Sequence, residues 1–391
     1  MLDSRKVAQA LAAKKALFGN YHGEHRRALA DAHQTWRAAM ALSRAELEAR
    51  LQHIPWPGAR PTAEHGRTPD GIFRFPERWQ NHEEARDWAQ RVLLGVTTLA
   101  VDGSQIAPAR EFSIPIGAVQ VGWFENPHDP ARPYTKDISF EVLAPQELAG
   151  EGEGDFPDAE VNWRRFRGEC ERLSAWMRAH RGQEPKPVCF FDGSLIVSFA
   201  QHMQPGRQQA HVRAVMDLLA ASAESRVPLV GYVDTSYAAD LTAMLAALDG
   251  RAAAGGLSDG ALLRPLMHWG DRTAAWLCAR EDGVQPPAGV PKYYDQVALL
   301  YLKTTAGNAP ARLDLPRWVL EEGELERVVD IVRAECVVGN GYPYGAETAD
   351  AVAVISAQDR ERFYAAFQRF AEQEGLPLHF SRKAGSKLGR R

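Results

Sequence analysis

An α/β fold with a mixed, partly parallel sheet is predicted by two observations. Apolar runs ending in an acid recur at Val101-Asp102, Phe191-Asp192 and Val233-Asp234, and helical segments separate the later ones. Strands that alternate with helices pair in parallel and carry residues at their C-terminal ends to one edge of the sheet. The second observation is a doubled signature. V-T-T-L-A-V-D-G-S-Q-I and P-V-C-F-F-D-G-S-L-I each deliver an aspartate to the point where a buried strand turns. The glycine after each acid permits close approach of chain or ligand, and the serine offers a local hydrogen bond. One such triplet is as readily a strand-ending turn. Two matched copies point to two carboxylates converging on one site.

Taken in order, residues 1 to about 60 have helical spacing and form an N-terminal arm. Trp36 with Met40 and Leu47 with Leu51 are spaced four apart, and Ser43 with Glu46 reads as a capping box. Such an arm packs on its own domain or on a second subunit. The turn-rich stretch Ile54 to Thr62 marks a boundary. Strands are expected from Leu93 to Asp102, from Phe112 to Phe124 and from Tyr134 to Leu143. A helix from about Asp158 to His180 separates the first acid-bearing strand from the second. Another follows from about Arg207 to Ser225. The strand Val227–Asp234 then leads into a helix beginning near Tyr237; Asp234 is a fourth candidate acid of the site, or else the N-cap of that helix. Gln296–Lys303 and Ala311–Asp314 are further strands.

The whole chain sets outer bounds. With 391 residues it can bury a large core, and no apolar stretch approaches the roughly 20 residues needed to span a bilayer. The N-terminus lacks the plan of a signal peptide. Cys170, Cys189, Cys278 and Cys336 form no C-x-x-C pair and read as reduced, buried thiols of a cytoplasmic protein. The formal net charge of −4 announces no nucleic acid, although a nuclease needs only a local basic path. That path is offered by the tail 376–391, with Arg382, Lys383, Lys387, Arg390 and Arg391, which can neutralise phosphates. His202 and Arg272 read as structural.

Further acids complete the constellation. On the helix between the two D-G-S strands, Glu169 and Glu171 lie two apart and cannot both face the sheet. Phe166 and Leu173 flank the face of Glu169, which is preferred, with Glu171 as the fallback. Asp350 comes two turns into a helix that follows the Tyr342-Pro343 turn. Carboxylate oxygens without a Cys or His cluster favour Mn²⁺ or Mg²⁺. Two such ions about 3.5–4 Å apart suit phosphodiester hydrolysis. The phosphate-cradling G-x-x-x-x-G-K-[ST] loop is absent, and no dinucleotide loop is complete.

In their order, these motifs resemble the NurA family of prokaryotic DNA-repair nucleases. The resemblance is carried by V-D-G-S (Val101 to Ser104), F-F-D-G-S-L-I-V-S-F-A (Phe190 to Ala200) and G-Y-V-D-T-S-Y-A-A-D-L (Gly231 to Leu241). G-D-R-T (Gly270 to Thr273), G-Y-P-Y-G-A-E-T-A-D (Gly341 to Asp350) and the terminal S-R-K-A-G-S-K add to it. It implies an RNase H-like nuclease domain over residues 93–375, with Mn²⁺-dependent 5′→3′ exonuclease and single-strand endonuclease activity. It also implies a homodimer acting on single-stranded DNA and duplex ends, with the hexameric DNA-translocating ATPase HerA, in double-strand-break end resection. By position, Asp102, Glu169 and Asp192 become metal ligands and Tyr342 the tyrosine near the scissile phosphate. Two departures stand out. Many members carry Ala-His where this chain has Ala349-Asp350, and a lysine where it has Asp234. Aspartate at 350 keeps the ligand option but supplies no proton near neutral pH unless its pKa is raised. The missing histidine leaves open a non-catalytic DNA-end adaptor for a ring ATPase, and a metal phosphohydrolase of small esters is a third reading.

Overall fold

The computed structural model describes residues 2–109, 112–149, 157–250, 256–281 and 292–379. The basic residues Arg382, Lys383, Lys387, Arg390 and Arg391 lie outside the described residues. Contacts divide the chain into two units, Met1–Arg78 with Val233–Arg317, and Trp79–Tyr232 with Trp318–Arg391. Residues 233–317, inside the span expected to form the nuclease domain, thus cluster with the N-terminal segment.

The first unit is built on long helices and antiparallel strands. Helix Lys15–Met40 buries only its last turns, with Trp36, Ala39 and Met40 facing inward. Ser43 and Glu46 form the expected capping box of helix Arg44–Leu51, which buries Leu47 and Leu51. The stretch expected to be a boundary instead contains a strand, Gly58–Pro61, paired antiparallel with Trp276–Ala279. It lies at the end of the strand order, where proline costs no ladder hydrogen bond. Val297–Leu302 and Ala311–Pro316 pair antiparallel and are buried at every residue, including the charged Arg312 and Asp314.

That burial is sustained by an ion-pair network. Asp240 is held by Arg312 and Arg280, and Arg312 also donates to Asp314 Oδ1 at 2.7 Å. Burial raises the Asp240 carboxyl, but Arg312 and Arg280 hold it below the ordinary value. The helix that Asp234 was expected to cap starts later, at Asp240 with Ala239 as its N-cap. Asp234 instead accepts a 3.1 Å hydrogen bond from the Thr235 hydroxyl.

The second unit carries a five-stranded mixed sheet. Its elements are α1 (His82–Leu93), β1 (Thr98–Ile106), β2 (Gly117–Asn126), β3 (Thr135–Leu143), α2 (Pro157–Ala179), β4 (Val188–Asp192), α3 (Pro205–Ser225), β5 (Leu229–Val233), α4 (Leu325–Val338), α5 (Tyr344–Ala353) and α6 (Ala357–Gln373). The strand order is β3-β2-β1-β4-β5. The first three strands are antiparallel, whereas β1, β4 and β5 are parallel. This is the RNase H-like arrangement. Strand β3 is exposed until Leu143, as an edge strand is, while β4 is buried until Asp192.

Register assigns each face of the sheet. Asp102 pairs with Gly122, and Gly103 with Val121. A side chain at Gly122 would strike Ala353 of α5, and one at Gly168 of α2 would press on Val121. Since paired residues share a face and successive residues alternate, Asp102 points towards α5 and Gly103 towards α2.

Removing Asp240 takes away the carboxylate that Arg280 and Arg312 share, leaving the buried Arg312 with Asp314 as its remaining counter-charge. Asp240→Asn is expected to lower unfolding stability by about 3–5 kcal/mol, measured by urea titration, while Arg44→Ala, in an exposed pair with Glu48, changes it by less than about 1 kcal/mol. A small loss at Asp240 would show that the network is not needed.

Candidate active site

The second unit brings four of the expected acids together. Asp102 comes from β1, Asp192 from the end of β4, Glu169 from α2 and Asp350 from α5. Burial pushes the Asp102 carboxyl up to about 6, opposed by the Gly103 amide and reinforced by repulsion from Asp192 and Asp350. Asp350 is also within hydrogen-bonding reach of Asp102, a contact that needs a proton on one of the two. Burial pushes Glu169 up to about 7; Arg165 opposes this, and Asp102 and Asp192 add to it. Asp102 therefore feels all three of the others, and Glu169 feels Asp102 and Asp192.

Glu169 comes from the opposite face of the sheet. It is 4% exposed on α2 and accepts a 2.6 Å bond from Arg165, one turn earlier. A Cβ at Gly103 would collide with the Glu169 carboxylate and with the Arg165 side chain. The glycine of the first D-G-S is thus an opening through which Glu169 reaches the site. Glu171 points away, paired with Arg167 at the surface. Asp234 belongs to the other unit.

Tyr342 donates to Asp192 Oδ1 at 2.6 Å. Its ring packs edge-on against the buried Tyr232, with centroids 5.0 Å apart. The loop carrying it bends sharply. Asn340 and Gly341 have positive φ, and a Cβ at Gly339 would overlap the Tyr342 carbonyl.

The helix that presents Asp350 is fastened at both ends. Its N-cap, Pro343, makes no side-chain cap bond. The buried Glu335 of α4 supplies the acceptor instead, taking the Gly345 amide at 2.8 Å while accepting from Thr98 of β1 at 3.2 Å. At the other end Gln120 donates to the Ala353 carbonyl at 3.0 Å, and Ser104 accepts from the Ile355 amide at 3.2 Å. The serine of the first D-G-S thus anchors the exit of α5. Glu335 escaped sequence analysis because an acid inside an apolar helix has no motif. Arg165 was legible as the i,i+4 partner of Glu169.

Four carboxylates supply only hard oxygen donors, and their mutual repulsion is what a divalent cation relieves. In chemistry the donor set fits Mn²⁺ or Mg²⁺. Among the described residues, no three acidic, histidine or cysteine side chains stand ready to hold an ion. Glu169 is engaged by Arg165 and Asp192 by Tyr342.

Topology and acids together define an RNase H-like α/β protein with its acids gathered where the parallel pairing of β1 and β4 ends. The NurA domain model matches residues 96–355, about two thirds of the 391 residues. The chain belongs to the NurA family of nucleases. It is similar to the crystal structure of NurA with manganese at 11% identity and TM-score 0.39, covering 75% of this chain and 94% of that one. It is also similar to the catalytic domain of human endonuclease V at 13% identity and TM-score 0.33, covering 76% and 97%. No curated protein matches.

The raised Asp102 carboxyl has a stability consequence. A folded value near 6 against an unfolded 3.8 means that its stabilising contribution is whole below the unfolded value and is lost as pH rises through the folded one. Without divalent ions at about pH 8, Asp102→Asn is expected to be more stable than wild type by roughly 1–2 kcal/mol, a gap that shrinks below about pH 5. Urea unfolding in chelator at both pH values checks this. A variant less stable than wild type at the higher pH contradicts it.

Proposed function

We propose that this chain is a divalent-cation-dependent DNA nuclease that hydrolyses phosphodiester bonds at the Asp102, Glu169, Asp192 and Asp350 cluster. The observation that carries the reading is the convergence of Asp192, Asp350 and Glu169 on Asp102 within the NurA-matched span. We read the activity as 5′→3′ exonuclease and single-strand endonuclease, exercised by a homodimer with a HerA-type hexameric ATPase in double-strand-break end resection. Family membership supports these finer assignments. The unmatched basic tail would steer the strand by neutralising phosphates. No helix among the described residues is long and apolar enough to cross a membrane.

A bound Mn²⁺ or Mg²⁺ supplies an acidified water and charge neutralisation at the phosphate and the leaving oxygen. Asp102, Asp192 and Asp350 would hold it, joined by Glu169 once that carboxylate turns away from Arg165. The Tyr342 hydroxyl fixes the orientation of Asp192 and stands ready to contact a phosphate oxygen. Arg165, freed from Glu169, presents a planar guanidinium that matches phosphate geometry. At 350 a carboxylate replaces the histidine of many family members, so its role here is that of a ligand rather than a proton donor.

Cleavage of single-stranded and 5′-resectable duplex DNA is expected with Mn²⁺ and is expected to vanish in chelator. Asp102→Asn and Asp192→Asn should each reduce the rate by about 10²–10³-fold or more while remaining folded, since each removes charge that the transition state depends on. Folded variants that cut like wild type would refute the site. Salt-sensitive DNA binding with no cleavage under any divalent ion would instead favour the adaptor reading.

A further inference from the structure

The turn after the second acid strand leaves an aromatic ring in solvent. Leu195, Ile196 and Val197 are buried, and the 3₁₀ turn Ser198–His202 that follows holds Phe199 at 51% exposure. An isolated exposed phenylalanine is ordinary; the seat of this one is not. Its ring packs against Phe166 at 6.1 Å and against the buried His211 at 5.5 Å, both nearly perpendicular. Phe166 lies 5.0 Å from His211 and 6.0 Å from Phe191. Trp163 closes the far side of His211 at 4.8 Å.

These neighbours put the ring on the α2 side of the sheet, the side from which Glu169 reaches the site. Phe166 is one helical turn before Glu169 on α2, about 5 Å along the axis. Phe191 immediately precedes Asp192 on β4 and turns its own side chain to the α2 face. Burial lowers the His211 pKa, and its Nδ1 is tied to the Arg207 carbonyl at 2.9 Å. The seat is therefore uncharged and fixed.

The charge of the site supplies the reason for such a ring. A carboxylate cluster repels a phosphate backbone, so a strand led to it needs contacts that do not depend on charge. Base–aromatic stacking is such a contact: it tolerates any sequence and requires an unpaired base face. Duplex DNA offers such a face only at its ends.

We propose that Phe199 is a base-stacking residue that holds an unpaired nucleotide of single-stranded DNA beside the carboxylates. This positioning role rests on the nuclease reading above and specifies how that site selects single strands.

Fluorescence anisotropy of the full chain in chelator, with labelled oligo-dT, an abasic strand of equal length and a blunt duplex, tests it. Phe199→Ala is expected to weaken oligo-dT binding about 5- to 100-fold, with abasic-strand and duplex binding changed less than about twofold. Phe199→Trp should retain the oligo-dT affinity. In Mn²⁺ the same Phe199→Ala variant should raise KM for the single strand far more than it lowers kcat. Equal oligo-dT affinity for wild type and Phe199→Ala, or an equal loss on the abasic strand, overturns the inference. If cleavage persists in that case, the nuclease reading stands. If wild type neither binds nor cuts DNA under any divalent ion, the nuclease reading fails and this inference fails with it.

Discussion

Glu169 reaches the acid cluster because residue 103 has no side chain. Asp102 and Glu169 approach from opposite faces of one sheet, and strand geometry keeps opposite faces apart wherever a Cβ intervenes. At Gly103 the strand is open, and the Glu169 carboxylate and the Arg165 stem fill the space that a side chain would take. The three residues of the first D-G-S therefore divide the work. Asp102 faces α5, Gly103 admits α2, and Ser104, back on the first face, holds the backbone that leaves α5. A strand, two helices and their loops are brought into register by one short sequence.

Holding four carboxylates together works against folding, and the surroundings show how that cost is contained. Arg165 offsets Glu169, the Tyr342 hydroxyl bonds Asp192, and Asp350 lies within hydrogen-bonding reach of Asp102. The supports behind them are rigid. Glu335 ties α4, α5 and β1 at one point, so Asp350 is carried by a helix that cannot rotate freely. Tyr232 backs Tyr342 in the same way. In the other unit a network of similar charge density is matched in sign, with Arg280 and Arg312 around Asp240. The contrast separates the two roles. Paired charges serve the fold, whereas clustered like charge is what functional sites carry.

Much of this was legible in the chain. Apolar runs ending in an acid specify the mixed sheet and place Asp192 at a strand end, because periodicity is a local property; Asp102, expected at the end of its strand, lies inside β1, which runs on to Ile106 because β2 continues to pair with it. The 200° separation of Glu169 and Glu171 on a helix was enough to place one inward and one outward. Other features were hidden because they depend on distant contacts. Gly58–Pro61 looks like a linker until a partner strand, far along the chain, pairs with it. Asp234 looks like an N-cap, but the helix starts six residues later. The division that groups residues 233–317 with the N-terminal segment leaves no compositional trace, since both units use the same apolar residues. Glu335 could not be seen at all, since its meaning lies in three backbone elements that only the fold unites.

The aspartate at 350 follows the same electrostatic logic. A histidine there would meet Asp102 as a hydrogen-bond donor and lessen the negative charge of the cluster. The carboxylate that stands there instead repels Asp102 and helps to raise its pKa. The cluster therefore carries one more carboxylate than a histidine would leave it. In this protein the loss of a residue that can pass protons is coupled to a gain in negative charge. The placing of Asp350 against Asp102 therefore adds to what burial alone does to the Asp102 carboxyl.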